Sequence, residues 1–408
     1  MRRYIFLLVF FLSQLFTFKA SAHFHYDPTI NTPQIKSSTT AEYVYAIYKD
    51  TNFNIKVLIS QDYGVNFSAT SSNISSNGDS SQITTSSAGQ YVYCDYKDNA
   101  NPTAVRIGNS QDNAATFRIK PIISGIDGEN PKIVTDSTGQ YVYAIWQDTA
   151  LPYTVKLSVS SDFGATFYPI SPILGNNASS QQIAISSSGQ YVYPVWVETN
   201  YSVKLSVSSD YGVNFLASST LLGYGDSPQI KTDSTGKYVY VFYRDTTNNL
   251  KASVSSDFGV NFATVSTGLG TNVIKPKITT NSSGQYVYVI WTDVNKNLKA
   301  SVSSNYGANF AELSQEIATN VKSPQLITDS TGQYVYVVWQ DTSSNIKLAR
   351  STDYGANFTT LGSDLGTGQT AQIYATAQYV FAIWMDLQND IKISTSTDYG
   401  ANFTPASL

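Results

Sequence analysis

The chain has 408 residues, a formal net charge of −4, only 13% charged residues, and 30 tyrosines against two histidines and one cysteine. So weak and slightly acidic a balance excludes the basic surface that nucleic acid requires. A single thiol, Cys94, excludes an intrachain disulfide, and the scarcity of Glu, Lys and Leu favours strands over helices.

In chain order, Arg2 and Arg3 precede an apolar run from Tyr4 to about Phe18, and Ala20-Ser21-Ala22 forms a small-residue cleavage pattern. We read residues 1–22 as a secretory signal peptide cut before His23, which places the mature chain outside the cell or in the cell envelope. The run is short for a spanning helix, so an uncleaved anchor is the lesser reading. No later stretch is apolar enough to span. His23 and His25 stand alone, and no other His, Cys or Asp grouping has metal-ligand spacing. Neither a metal nor a cofactor is expected, and no phosphate loop or serine–histidine triad is available.

Residues 23–408 read as one domain of eight units. The octamer Ser-x-Asp-x-Gly-x-x-Phe recurs about every 48 residues, with its third position at Asp62, Asp112, Asp162, Asp210, Asp257, Asn305, Asp353 and Asp398. Each unit opens on a short strand such as Pro228-Gln229-Ile230 and a Ser-Thr-Gly turn. An alternating strand such as Tyr286–Trp291 follows, then a polar turn and a strand such as Leu298–Ser303. The octamer turn leads into a last strand such as Asn309–Leu313. Four short strands per unit with no helical period describe an all-β, eight-bladed β-propeller of four-stranded antiparallel blades. A seven-bladed ring with one displaced unit is the alternative. Units one and eight carry Ala41-Glu42 and Ala377-Gln378 where the others have the turn glycine.

Repeated columns belong to the architecture. Trp146, Trp196, Trp291, Trp339 and Trp384 share one with Tyr48, Tyr96 and Tyr243, which reads as packing between units. Two residues later comes an acid in every unit (Asp50, Asp98, Asp148, Glu198, Asp245, Asp293, Asp341, Asp386). Across the next turn comes a base (Lys56, Arg106, Lys156, Lys204, Lys251, Lys299, Lys347, Lys392). These predict cross-strand ion pairs, each contributing at most about 1 kcal/mol. Gln34, Gln82, Gln182, Gln229, Gln325 and Gln372, with Lys132 and Lys277, form a further column that reads as a solvated channel lining. Cys94 shares a column with Ala46 and Val289 and reads as a small core residue.

The octamer's Ser and Asp are suited to hydrogen-bond their own turn, with Gly supplying a positive φ. Ser160 to Phe167 and its copies resemble the Asp-box, or BNR, repeats of the sialidase superfamily over nearly all of the mature chain. Ala114 replaces the glycine in unit two, and Asn305 the aspartate in unit six. The resemblance implies a propeller whose Asp boxes are structural and lie on the face opposite any active site. It also implies that an enzyme would need three arginines on a carboxylate, a Tyr/Glu nucleophile pair and an acid Asp. The mature chain has only Arg106, Arg118, Arg244 and Arg350, and no nucleophile can be assigned.

A site must therefore break the repeat. Phe53, Tyr153 and Tyr201, off the aromatic column in the turns between second and third strands, and Tyr224, in the connection between units four and five, are candidates for stacking on sugar. Asp95 replaces an aliphatic column residue, and Arg118 is the one arginine outside the repeat-defining segments. The expectation is an exported, non-catalytic propeller that binds carbohydrate or a cell-surface glycoconjugate through one face. A divergent sialidase-like glycoside hydrolase and a structural or adhesive surface protein are the alternatives.

Overall fold

The computed structural model describes residues 32–70, 73–99, 104–121, 128–150, 152–169, 174–216, 219–265, 267–313 and 316–406. The expected leader at 1–22, His23 and His25, and the turn of unit two at 100–103 lie outside these. No helix occurs among the described residues, so no helix there could cross a membrane.

Strands pair antiparallel throughout and form seven sheets. Unit one is the pattern: Gln34–Ser37, Val44–Lys49, Ile55–Ser60 and Ser68–Ala69 lie side by side in chain order. Its second strand is buried at Val44, Tyr45, Ala46 and Ile47 in succession, because both faces are covered by neighbouring sheets.

Three places depart from four strands per unit. Thr220–Thr232 is a single strand of 13 residues whose first half pairs with Ser202–Leu205 and whose second half pairs with Val239–Asp245. Units four and five thereby merge into one seven-stranded sheet. The linking segment Thr220-Leu221-Leu222-Gly223-Tyr224 is strand-forming in type, so the ladder continues where other connections break it. Unit seven gains Gly366–Thr367 against Asn345 and Ile346. Unit eight keeps three strands, although the Thr404 amide still donates to the Thr395 carbonyl at 2.9 Å.

The innermost strands of units one to eight are Gln34–Ser37, Gly78–Thr85, Gly128–Thr135, Ala178–Ile185, Thr220–Thr232, Ile274–Thr280, Lys322–Thr328 and Gln369–Thr376. Each contacts the next, and the last returns to the first. Ile35, Val44, Ala46 and Leu58 share a core with Phe381, Ile383 and Ile393, so the ends of the chain pack as neighbours. The Thr376 hydroxyl donates to the Thr39 carbonyl at 2.9 Å, and that of Thr395 to the Gly64 carbonyl at 2.9 Å. The architecture is that of a β-propeller.

The junctions repeat one chemistry. A buried tyrosine on the second strand donates its hydroxyl to the turn glycine of the next unit: Tyr45 to Gly89 at 2.7 Å, Tyr93 to Gly139 at 2.6 Å, Tyr240 to Gly284 at 2.6 Å and Tyr288 to Gly332 at 2.6 Å. Where the glycine is missing, the donor departs too or is stranded. Unit eight makes a two-residue turn at Ala377-Gln378, and Tyr336 of unit seven is left with no partner for its hydroxyl. Unit one has Ala41, and the residue facing it from unit eight is Phe381.

The octamers close on themselves as expected. In unit one the Ser60 hydroxyl donates to Asp62 Oδ1 at 2.7 Å and accepts the Gly64 amide at 2.9 Å, while Asp62 Oδ1 accepts the Asn66 amide at 2.9 Å. Asn305 keeps this pattern by accepting from Ser303 and the Asn309 amide. In seven of the octamers the aromatic at the fourth position stacks on a tyrosine of the preceding unit, as Phe163 on Tyr91 at 4.5 Å, and Tyr63 of unit one on Tyr379 of unit eight at 5.2 Å, while unit two has Asn113 there. Seven of the eight cross-strand acid–base columns are paired, among them Lys56–Asp50 at 3.0 Å and Lys204–Glu198 at 3.0 Å. The exception is Lys299, which turns from Asp293 to Glu312 on the adjacent fourth strand at 3.8 Å.

Tyr288→Phe should destabilise the fold by about 1 kcal/mol, since it orphans a buried carbonyl, whereas Tyr336→Phe should leave stability unchanged or raise it. Urea denaturation of the two variants beside the parent measures the difference. Equal losses would contradict the assignment.

Candidate functional site

Antiparallel order gives the ring two faces. The octamer turns share one with the first-to-second-strand turns, where the Phe163 amide donates to the Gln140 carbonyl at 3.1 Å and the Tyr211 amide to the Gln190 carbonyl at 2.9 Å. The second-to-third-strand turns and the connections between units share the other. There the amides of Gly78, Ala178 and Gly225 donate to the carbonyls of Phe53, Tyr153 and Tyr201 at 3.1, 2.9 and 2.7 Å.

Phe53, Tyr153 and Tyr201 lie off the aromatic column but share a column of their own. They occupy one turn position, with φ of 63°, 56° and 65°, that is Asn248, Lys296, Ser344 and Asn389 elsewhere, with φ of 64°, 64°, 66° and 68°. This left-handed conformation suits Asn and disfavours bulky side chains. Aromatics in the left-handed position of the octamers are held by stacking, but Phe53 and Tyr201 are 57% and 51% exposed. Phe53 meets the Lys49 ammonium 5.1 Å from its ring centroid. Tyr153 is half-buried. Tyr224, 54% exposed, lies opposite Ser202 in the ladder, the residue after Tyr201. The signal for this column was the spacing from the column acid: three residues from Asp50 to Phe53, Glu198 to Tyr201 and Asp245 to Asn248, stretched by insertion in unit three.

The structure does not bring Asp95 or Arg118 to these rings. Arg118 begins the outermost strand of unit two opposite Asn109, exposed at the octamer end of the sheet. Asp95 is fully buried on the face of its strand that carries Tyr93, beside a cluster of Tyr93, Ile107, Ile133 and Ala144, and neither carboxylate oxygen has a hydrogen-bond partner. Burial pushes its pKa well up, and the Lys132 ammonium only partly offsets this. The other arginines are dispersed: Arg106 on Asp98, Arg244 on Asp226 at 2.6 Å and Arg350 on the Tyr399 carbonyl at 3.0 Å.

The amide column lines a cavity at the mouth of the central channel, on the same face as the exposed rings. Lys132, Gln182, Gln229, Lys277 and Gln325 project into it, rimmed by Ser180, Ser227, Lys275 and Ser323. Those four rim residues have φ of 56°, 53°, 49° and 47°, each at a register shift that bends the strand start across the channel. Among the described residues no three His, Cys, Asp or Glu gather as a metal site would require.

No protein-family model matches the chain, and no curated protein matches it. Solved structures do match in fold. BP39L lectin from Burkholderia pseudomallei superposes with a TM-score of 0.57 at 9% identity, over 82% of this chain and 99% of the lectin. Prolyl oligopeptidase B from Galerina marginata gives 0.53 at 10% identity over 90% of this chain and 55% of that one. Dipeptidyl peptidase 4 from Porphyromonas gingivalis gives 0.55 at 10% identity over 93% and 60%. The chain thus spans little more than half the length of the peptidases it matches, and identities this low establish fold alone.

Asp95→Ile should raise stability at neutral pH by about 1–3 kcal/mol. Because burial raises the folded-state pKa, the penalty is absent below the unfolded carboxyl's value of about 4 and grows as pH rises above it. Melting curves of parent and variant should converge in acid and separate toward neutrality. A variant less stable at neutral pH would mean that the buried acid is satisfied.

Proposed function

We propose that this is an exported, non-catalytic propeller of eight four-stranded Asp-box blades, related to the sialidase superfamily, that binds glycans through the face opposite its Asp boxes. The observation that carries the reading is the set of exposed aromatic rings at a backbone position that favours asparagine. Units five to eight place Asn, Lys, Ser and Asn there, so the turn itself does not ask for a ring. Units one, three and four accept the conformational cost, and units one and four leave the ring largely in water, which is how apolar sugar faces are met. Tyr224 lies opposite Ser202 in the ladder, and Tyr201 and the polar Asn200 precede Ser202 in the chain. The eight innermost strands contacting in a closed cycle support the blade count, and the self-bonded octamers support the Asp-box reading. The likeness in fold to a lectin is compatible with it. A sialidase-like hydrolase is disfavoured because the described arginines are dispersed and three are already engaged.

The column itself supplies the test. Tyr201→Asn and Tyr153→Asn install the residue found at that position in other units. They should leave stability equal or slightly higher while weakening glycan binding about tenfold each, on the order of 1 kcal/mol. Glycan-array and calorimetric titration of the parent and both variants decide this. Undiminished binding would remove the rings from the site. Turnover of fluorogenic sialosides that is lost in Arg118→Ala would instead favour the hydrolase.

A further inference from the structure

The cavity at the channel mouth has one corner, between units three and four, where the repeat is broken twice. Two of its lining residues, Gln147 and Gln181, depart from their columns. At the position of Gln147, units one, two and five carry a base that reaches an acid: Lys49 reaches Asp79, Lys97 reaches Glu129 and Arg244 reaches Asp226. Gln147 lies opposite Glu129 in its ladder, but Lys97 already holds that carboxylate. Gln147 is 8% exposed, and among the described residues its carboxamide has no hydrogen-bond partner. At the position of Gln181, five other units have Pro33, Pro131, Pro228, Pro276 and Pro324. Gln181 is 2% exposed. Its Nε2 donates to the carbonyls of Asn130 at 2.8 Å and Glu129 at 3.3 Å, which fixes the amide and leaves Oε1 buried without a partner.

The fold does not ask for an amide at the Gln181 position, since proline serves there in most units. Two carboxamides enclosed in this way weaken the fold unless something reaches them. What they lack decides the ligand. The Gln181 amide nitrogen is taken by two carbonyls, so the group needs a donor, while Gln147 can both donate and accept. Ser180 and Gln182, on the same strand as Gln181, add groups of the same double character. An anion has no hydrogen to give to Gln181 Oε1. A cation would meet Lys132 and Lys275 on the same walls, and no carboxylate of the described residues lines the cavity. Hydroxyls donate and accept at once, and a neutral sugar unit carries several.

This corner is joined to the aromatic turns. The Tyr153 carbonyl accepts the Ala178 amide at 2.9 Å, and Ala178 opens the strand that brings Ser180, Gln181 and Gln182 to the cavity. The Tyr201 carbonyl accepts the Gly225 amide at 2.7 Å, two residues before Ser227 on the cavity rim. We propose that the corner takes the terminal, uncharged sugar unit of a glycan, held by Gln147 and Gln181, with the rest of the chain leaving over Tyr153 and Tyr201. The path of the chain rests on the glycan reading above. The terminal subsite does not depend on the rings.

The test is calorimetric titration of the full chain with glucose, galactose and mannose, with the linear tetramer of each, and with glucuronate and galacturonate as the acidic arm. At least one single neutral sugar should bind, and its uronate should bind more weakly. Gln147→Leu, and Gln181→Pro, which installs the residue of the other units, should each weaken both the single sugar and its tetramer at least about tenfold. Gln147→Leu should melt no lower than the parent, because it removes a buried polar group, so its loss of binding is not a loss of fold. Tyr201→Asn should weaken the tetramer alone. Loss in the glutamine variants with Tyr201→Asn unaffected would keep the subsite and remove the ring. Tetramer binding lost in Tyr201→Asn but intact in both glutamine variants would keep the ring and overturn the subsite. A parent that binds no single sugar, or binds the uronates more tightly than the neutral sugars, would overturn it as well.

Discussion

At six boundaries between successive units a buried tyrosine hydroxyl finds its acceptor in a turn carbonyl of the next unit. Alongside it, the octamer's aromatic stacks back on the preceding unit. Most units are thus completed by their neighbours on both sides, and such a unit alone would carry an unsatisfied hydroxyl and an exposed ring. Cooperativity of this kind needs no disulfide, which suits a chain with one buried cysteine. It also explains why the two ends must meet: Tyr63 of unit one finds Tyr379 of unit eight as other octamers find the unit before them.

Most of this was legible in the sequence because a repeat copies its physics. The column acids and bases, the aromatic column and the self-bonded octamers could be read by aligning units and asking what each residue type needs. Glycine loss in units one and eight was visible as well, but its consequence was not, since the partner hydroxyl lies one unit away in sequence. What could not be read was anything set by packing between units. Asp95 is polar in type and was a candidate for a wet site, yet its strand is covered on both faces and the carboxyl is sealed in. Arg118 looked unassigned and proves to sit on the outer strand, away from the rings. Lys299 chose Glu312 because two strands compete for one ammonium, which no single column reveals. The merging of units four and five follows from a connection rich in strand formers, a local feature that the repeat pattern hid.

The two faces of the ring differ in how much freedom they leave. On the octamer face the Ser and Asp (Asn305 in unit six) of each octamer are bound into their own turn, and in seven units the aromatic that follows is stacked on a neighbour. Backbone bonds there also link turn to turn, as from the Ser87 amide to the Ser137 carbonyl and from Ser137 to Ser187, both at 2.8 Å. The opposite face has turns whose third residue is fixed in conformation but open in identity, and connections that vary in length. Recognition can diversify there without disturbing the junctions. The channel between the faces is the third region where the units differ, and its differences are in charge.

Everything rests on the first and last units being neighbours in one molecule. Thr39→Cys with Thr376→Cys, in a Cys94→Ala background, reports on that junction, where a threonine hydroxyl now reaches a carbonyl at 2.9 Å. Brief treatment of the dilute chain with a short thiol cross-linker, followed by peptide mapping, should give an intramolecular link in monomers at high yield. Links found only between chains, or none while the protein stays folded, would mean an open stack of units and would contradict the closed ring.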